Sequence, residues 1–281
     1  MLDKRLVIVS GKGGVGKSAV ASGLALLAQR HGLRVLAVEI ESSGGLSAHF
    51  GVGPFEFEPR EVRPGLHVMH MVRSEALLEY LSLQLRLPGM GRFGAIARAF
   101  DALATAAPAV REIVTIGKIL WEVREERWDI VIVDAPPTGQ IASYLRAPAS
   151  ISELVTAGRI RSQADWMADS LRDPTVTKLV LVSLAEELPT TETMDTLTWI
   201  EHSALVSPPT VVTNRVLPPL TEEVIPEGTV GEMAALHRSL WFEQQRWLGA
   251  LPPDLTIPYL FGLFTPPEVA AHISDQLEAL T

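Results

Sequence analysis

The residues with the clearest chemistry lie in a glycine-rich loop near the start of the chain. The loop reads Gly11-Lys12-Gly13-Gly14-Val15-Gly16-Lys17-Ser18 and follows a short apolar run at residues 6–9. Glycines let such a loop turn its backbone N–H groups inward, where they cradle phosphate oxygens. Lys17 is placed to reach the β- and γ-phosphates of ATP, and the Ser18 hydroxyl to bind Mg²⁺. We expect the nucleotide to be held by Gly13, Gly14, Val15, Gly16, Lys17, Ser18 and Ala19.

Carboxylates follow two further apolar runs. Asp134 comes directly after residues 130–133 and opens the sequence Asp-Ala-Pro-Pro-Thr-Gly. An aspartate at the carboxyl end of a strand in a P-loop fold holds Mg²⁺ through water, so Ser18 and Asp134 are the predicted metal-binding residues. Glu39 and Glu41 stand at the end of the second run. This pair is either part of the same site or a solvated strand end.

The sequence around these motifs predicts an α/β fold of the P-loop NTPase type. Short apolar runs rich in β-branched residues alternate with helical stretches, at residues 6–9, 35–40, 130–133, 179–182 and 210–213. This alternation is typical of βαβ units and favours a mainly parallel, doubly wound sheet flanked by helices. Residues 66–71 are a candidate for a further strand. A helix is expected over residues 19–31, ended by Gly32.

The rest of the chain is predicted to be helical and to belong to the same domain. We expect one P-loop ATPase domain over residues 1–281, with a helical insertion subdomain at 75–127 and further helical blocks at 151–171 and 231–248. Apolar residues in these helices recur at helical spacing. That spacing indicates packing against the core more often than a groove for a client protein.

Composition excludes several classes of function. A net charge of −9 argues against a general nucleic-acid binder, which needs a basic face. The absence of cysteine excludes disulfides, iron–sulfur clusters and thiolate zinc sites. Neither a membrane span nor a signal peptide is expected, so the prediction is a cytoplasmic protein that meets a membrane only indirectly, through a partner.

The loop and the segment at residues 134–139 together resemble a known family. A lysine at the second position of the loop marks the deviant Walker A ATPases. The Asp-Ala-Pro-Pro-Thr-Gly segment is similar to switch II of the arsenical-pump ATPases and of the ATPases that target tail-anchored proteins. The likeness is greatest to bacterial, actinobacterial-type members described as anion-transporting ATPases, which share the Glu-x-Glu strand end and a Thr-x-Gly-Lys-Ile turn, matched here by residues 115–119.

This resemblance implies a dimer that encloses ATP and a role for each motif. Lys12 would reach the nucleotide of the partner subunit, as an arginine finger does in other P-loop enzymes. Glu41 would orient the attacking water, and residues 42–50 would form switch I. The resemblance places the adenosine near residues 185–186, Glu192, Thr193, Asn214 and Pro258, and we assign Glu186, Asn214 and Pro258 to it. The catalytic residues would be Lys12, Lys17 and Glu41.

The sequence departs from the family at two points, and other functions remain open. It has no cysteine for arsenite or for the zinc clamp of the eukaryotic dimers. Its Glu-x-Glu carboxylates are one methylene longer than the family's aspartates, and a small displacement of such a group can cost about a hundredfold in rate. The main prediction is a dimeric ATP-hydrolysing switch that binds a protein client. The alternatives are a slow nucleotide-binding subunit paired with a paralogue, a partition-type ATPase, and a P-loop kinase or ligase.

Overall fold

Eight strands form one sheet in the computed structural model, which describes residues 1–40, 44–85, 109–220 and 228–278. The strands are β1 Leu6–Gly11, β2 Val35–Glu39, β3 Arg60–Arg63, β4 Leu66–His70, β5 Ile130–Asp134, β6 Thr177–Leu184, β7 Thr210–Val216 and β8 Leu255–Pro258. Their order across the sheet is β3-β4-β2-β5-β1-β6-β7-β8. All neighbours are parallel except β3 and β4. The predicted mainly parallel sheet of an α/β fold is confirmed.

Helices cover both faces of this sheet. They are α1 Lys17–Arg30, α2 Gly45–Phe50, α3 Arg73–Leu85, α4 Ala109–Arg124, α5 Thr138–Leu154, α6 Arg159–Arg172, α7 Glu187–Ser203, α8 Thr229–Ala250 and α9 Pro266–Glu278. Side chains of β1 alternate between the two layers: Val7 and Val9 pack with α1 and α9, whereas Leu6 and Ile8 pack with α4 and α5. A strand buried on both faces has a continuous apolar sequence, which is why these strands could be predicted.

The predicted strands are all present, and two strands were missed. The candidate at residues 66–71 is β4. The missed strands are β3, which is short, charged and largely exposed, and β8, which is four residues long and ends in Pro258. Neither has the long β-branched run by which the others were found. Both lie at the edges of the sheet, where such sequences are tolerated.

The helical regions differ in detail from the expectation. Residues 151–171 are divided between α5 and α6, and Gly158 with φ +95° precedes α6. Residues 115–119, expected as a turn, are helical within α4. Gly117 packs closely against α6, because a Cβ at this position would lie 3.0 Å from Cε of Met167, the end of a flexible side chain that would have to shift. Part of the predicted insertion, residues 86–108, falls outside the part of the chain that the structure describes.

An ion cluster centred on the buried residues Lys118 and Glu122 joins α3 to α4. Lys118 Nζ lies 2.6 Å from a carboxylate oxygen of Glu79 and 2.8 Å from one of Glu122. Glu122 is fully buried and also accepts hydrogen bonds from Arg127 and from Nε1 of Trp128. Each charge in this cluster has an opposite partner, as a buried charge requires.

Among the described helices, none is long and apolar enough to cross a membrane.

Candidate functional site

The phosphate loop joins the end of β1 to the start of α1. Gly14 and Gly16 have φ values of +86° and +96°, which a residue with a side chain rarely adopts. Gly16 is further constrained by space, because a Cβ there would lie 2.4 Å from Nδ2 of Asn214. The loop therefore forms the turn that brings backbone N–H groups to the amino end of α1, where the helix dipole favours an anion.

The two lysines of the loop point to different surroundings. Lys17 lines a cavity of about 570 Å³ beside the loop, and its Nζ donates to the carbonyl of Lys12 at 3.3 Å. The Lys12 side chain instead forms an ion pair with Glu192 on α7, and 29% of it is exposed. Lys12 is absent from the described residues that line the cavity.

Oxygen donors suited to Mg²⁺ meet at the mouth of this loop. A Cβ placed on Gly45, the first residue of α2, would lie 2.4 Å from Oγ of Ser18 and 3.5 Å from Oδ2 of Asp134. Both oxygens thus face the same small space, which only a glycine leaves open. Hydroxyl and carboxylate oxygens are donors that a hard cation prefers, so the predicted pair fits Mg²⁺ bound with a nucleotide phosphate. Asp134 is buried, with a relative exposure of 6%.

The cavity extends from the phosphate loop to the loop between β8 and α9. Its lining includes Gly14, Gly16, Lys17, Ser18, Ala19, His49, Asn214, Arg215, Pro258, Tyr259, Gly262 and Phe264. Apolar and aromatic side chains at the end away from the phosphate loop suit a purine ring. Asn214 and Pro258, predicted to contact adenosine, lie in this lining. Glu186 precedes α7 as an exposed residue and is not among the described lining residues.

Several lining residues were not predicted. They include His49, Arg215, Tyr259 and Phe264. His49 stands within the segment proposed as switch I. Arg215 lies near the end of β7, and Tyr259 and Phe264 lie between β8 and α9. The sequence offered no motif for these last three residues. The loop between β8 and α9 is fixed at its end by Thr265, whose backbone N and Oγ1 donate to Oε2 of Glu268 at 2.8 Å and 2.7 Å. Those bonds hold the pKa of Glu268 below its ordinary value.

Asn214 braces the phosphate loop. Its Nδ2 donates to the carbonyl of Val15 at 2.9 Å, and its Oδ1 accepts from the backbone N–H of Arg215 at 2.9 Å. Arg215 has φ +57°, and its carbonyl accepts a hydrogen bond from Gln244 of α8. Contact of Asn214 with the adenine edge stays a prediction. The bracing role was not expected, because nothing in the sequence reveals that β7 ends against the loop.

Of the two carboxylates at the end of the second strand, Glu39 is the last residue of β2 and lies within the described residues. Glu39 is buried, and its Oε1 accepts from the backbone N–H of Leu46 at 3.3 Å. This bond ties the carboxylate to α2, in the proposed switch I. Glu41, the residue predicted to orient water, falls in the gap between the described ranges 1–40 and 44–85.

Replacing Asn214 with alanine is expected to weaken ATP binding about 5- to 100-fold, because the buried carbonyl of Val15 loses its donor. Calorimetry with ATP and GTP separates the two roles of this residue. A loss shared equally by both nucleotides would assign Asn214 to loop bracing alone, whereas a larger loss for ATP would add adenine recognition. Wild-type affinity for both nucleotides in the Asn214→Ala variant would remove the residue from the site.

Known proteins similar to this chain are ATPases. Residues 4–164 match the family model described as anion-transporting ATPase. The ATPase BagA of Mycobacterium tuberculosis is 33% identical over 82% of this chain and 71% of its own length. The ATPase get3 of Neurospora crassa is 26% identical over 57% of this chain and 48% of its own length. The ATPase ASNA1 homolog 1 of Paramecium tetraurelia is 26% identical over 50% of this chain and 43% of its own length.

Proposed function

This chain belongs to the anion-transporting ATPase family, and we propose that it is a dimeric switch that couples ATP turnover to binding of a protein partner. The chain binds nucleotide and is an ATPase, in line with its family and its relatives. The dimer, the roles of individual residues, Mg²⁺ and the partner are the proposed part.

The position of Lys12 carries the proposal. Lys17 lines the nucleotide cavity of its own subunit, whereas the Lys12 side chain leaves the loop on the side of α7. Developing charge on the γ-phosphate is stabilised by a cation beyond the loop lysine and the metal ion, which a P-loop enzyme takes from its own chain or, in trans, from a partner. Lys12 is suited to that task, since a side chain directed away from its own phosphates can reach those of a facing subunit.

In the same proposal the other site residues bind the phosphates, the metal ion and the attacking water. Lys17 and the loop backbone bind the phosphates, while Ser18 and Asp134 hold Mg²⁺. When bound, the metal ion neutralises charge on the phosphates. Glu41 orients the attacking water. Residues 41–50 and 134–139 respond to the γ-phosphate as switches I and II.

A partner surface is supported by α8. Its side chains at Val230, Met233, Leu236, Leu240 and Phe242 are between 50% and 66% exposed. Gln244 of the same helix accepts from Leu217 N at 2.7 Å and donates to the carbonyl of Arg215, which lines the nucleotide cavity. A change at the nucleotide can therefore be passed to the helix that carries these exposed apolar side chains. The partner is a protein client or a paralogous subunit.

A slower variant of this function rests on the Glu-x-Glu sequence. If the longer carboxylates misplace the attacking water, the chain would be a nucleotide-binding subunit that needs a paralogue for turnover. Measured turnover at saturating ATP separates the two. A partition-type ATPase is disfavoured by the net charge of −9, and stimulation of hydrolysis by DNA would favour it.

The assembly is tested by the dependence of activity on protein concentration. Hydrolysis per subunit should rise with concentration and saturate, because each site needs a lysine from a second subunit. Sedimentation with ATP should show the dimer forming over the same range. Constant activity per subunit down to nanomolar concentration in a verified monomer would refute the dimeric mechanism. Turnover that appears only with a paralogue added would replace the homodimer by a heterodimer.

A further inference from the structure

Glu192 connects the phosphate loop to switch II within one subunit. It lies in the second turn of α7, where Oε1 pairs with the ammonium group of Lys12. Its other oxygen, Oε2, accepts a long hydrogen bond of 3.4 Å from Oγ1 of Thr138. Thr138 is the first residue of α5, directly after the Asp-Ala-Pro-Pro sequence. One carboxylate thus touches both segments that meet the γ-phosphate in the proposed mechanism.

The surroundings of Glu192 indicate that this contact can open. Its side chain is 42% exposed, so it contributes little to the core. An ion pair with this much solvent access is weak and is screened by salt. α7 is anchored independently by the buried side chains of Pro189, Thr190, Thr193 and Ile200. Loss of the Lys12–Glu192 pair would therefore leave the helix in place.

From this geometry, and resting on the proposed function, we propose that Glu192 is a positioning residue that holds Lys12 within its own subunit until two ATP-bound subunits meet. The ammonium group of Lys12 cannot stay paired with Glu192 and also extend to the phosphate of a facing subunit. Thr138 links the pairing of Lys12 to the nucleotide. When switch II shifts toward the γ-phosphate, Glu192 loses the hydrogen bond from Oγ1 of Thr138 that helps to orient its carboxylate. In the ATP-bound state Glu192 therefore releases Lys12, which can then extend to the facing subunit.

The proposal predicts that neutralising Glu192 makes assembly easier. In Glu192→Gln the ion pair is absent while the shape of the side chain is kept. Because each subunit of a dimer is released from one weak ion pair, the protein concentration at half-maximal dimer should fall about 2- to 30-fold. The matched control is Asp195→Asn, which removes the same charge from an exposed position on α7.

Sedimentation with a non-hydrolysable ATP analogue, alongside hydrolysis assays, tests this prediction. Wild-type protein, Glu192→Gln and Asp195→Asn are compared first, and Glu192→Gln is then repeated in a Lys12→Ala background. There the change should have no effect on dimer formation, because Glu192 acts through Lys12. A purely structural role would instead lower the melting temperature and leave the effect present in both backgrounds.

Three results would overturn the proposal. One is a dimer of Glu192→Gln no tighter than that of wild type or Asp195→Asn. Another is a weaker dimer, which would favour contact of Glu192 with the adenosine, as the resemblance to the family implies. The third is equal tightening with and without Lys12. Failure of the dimeric function itself looks different, since the wild type would then stay monomeric with the analogue and Lys12→Ala would hydrolyse ATP normally.

Discussion

Replacing Lys12 with alanine is expected to lower ATP hydrolysis by about a thousandfold or more, the contribution typical of a charged finger supplied in trans. ATP affinity of the isolated subunit should stay close to that of the wild type. Binding and turnover separate in this way because Lys17, not Lys12, lines the cavity in its own subunit. The measurements are calorimetric titration with ATP at low protein concentration and steady-state hydrolysis at high concentration.

A second lysine provides the control for this prediction. Lys178 stands near the start of β6, and its Nζ donates to the carbonyl of Pro208. Since the phosphate loop packs near the opposite end of β6, Lys178→Ala should change neither binding nor hydrolysis. If Lys12→Ala hydrolyses ATP at the wild-type rate, the trans-lysine mechanism is wrong for this protein. A parallel loss of ATP affinity would place Lys12 in its own nucleotide site instead.

The phosphate loop and the central strands could be predicted because their conformations depend on residues close together in the sequence. A run such as residues 130–133 is buried on both faces, so its composition alone identifies it. Gly14 and Gly16 adopt positive φ, which explains why glycine recurs at these positions. In both cases the neighbours along the chain determine the conformation, and the fold class follows from how often the pattern repeats.

The far end of the nucleotide cavity could not be predicted, because it depends on contacts between distant parts of the chain. Asn214 bonds to Val15 across 199 residues, and Arg215 reaches the cavity through a backbone conformation that its residue type does not favour. Tyr259 and Phe264 follow the edge strand β8, whose sequence is too short to be identified as a strand. The ion pair of Lys12 with Glu192 likewise brings together residues 180 positions apart.

Replacing Lys17 with alanine is expected to weaken ATP binding by about 10- to 150-fold, the range for loss of a hydrogen bond to a charged group. The fold should survive, because the Lys17 side chain is partly exposed and its hydrogen bond to the carbonyl of Lys12 is long, at 3.3 Å. Calorimetry measures the affinity, and thermal unfolding without nucleotide checks stability. Unchanged affinity would show that the glycine-rich loop is not the ATP site.

A mixture of the two lysine variants tests whether these residues act from different subunits. Each variant alone should be nearly inactive, since Lys12→Ala lacks the trans cation and Lys17→Ala lacks the loop cation on the β- and γ-phosphates. A mixed dimer has one complete site, in which Lys17 of the Lys12→Ala chain meets Lys12 of the Lys17→Ala chain. With equal amounts and random pairing in a two-fold dimer, about a quarter of all sites become complete, so up to about a quarter of wild-type activity should return. If the mixture is no more active than its components, although sedimentation shows dimers, both lysines act within one subunit.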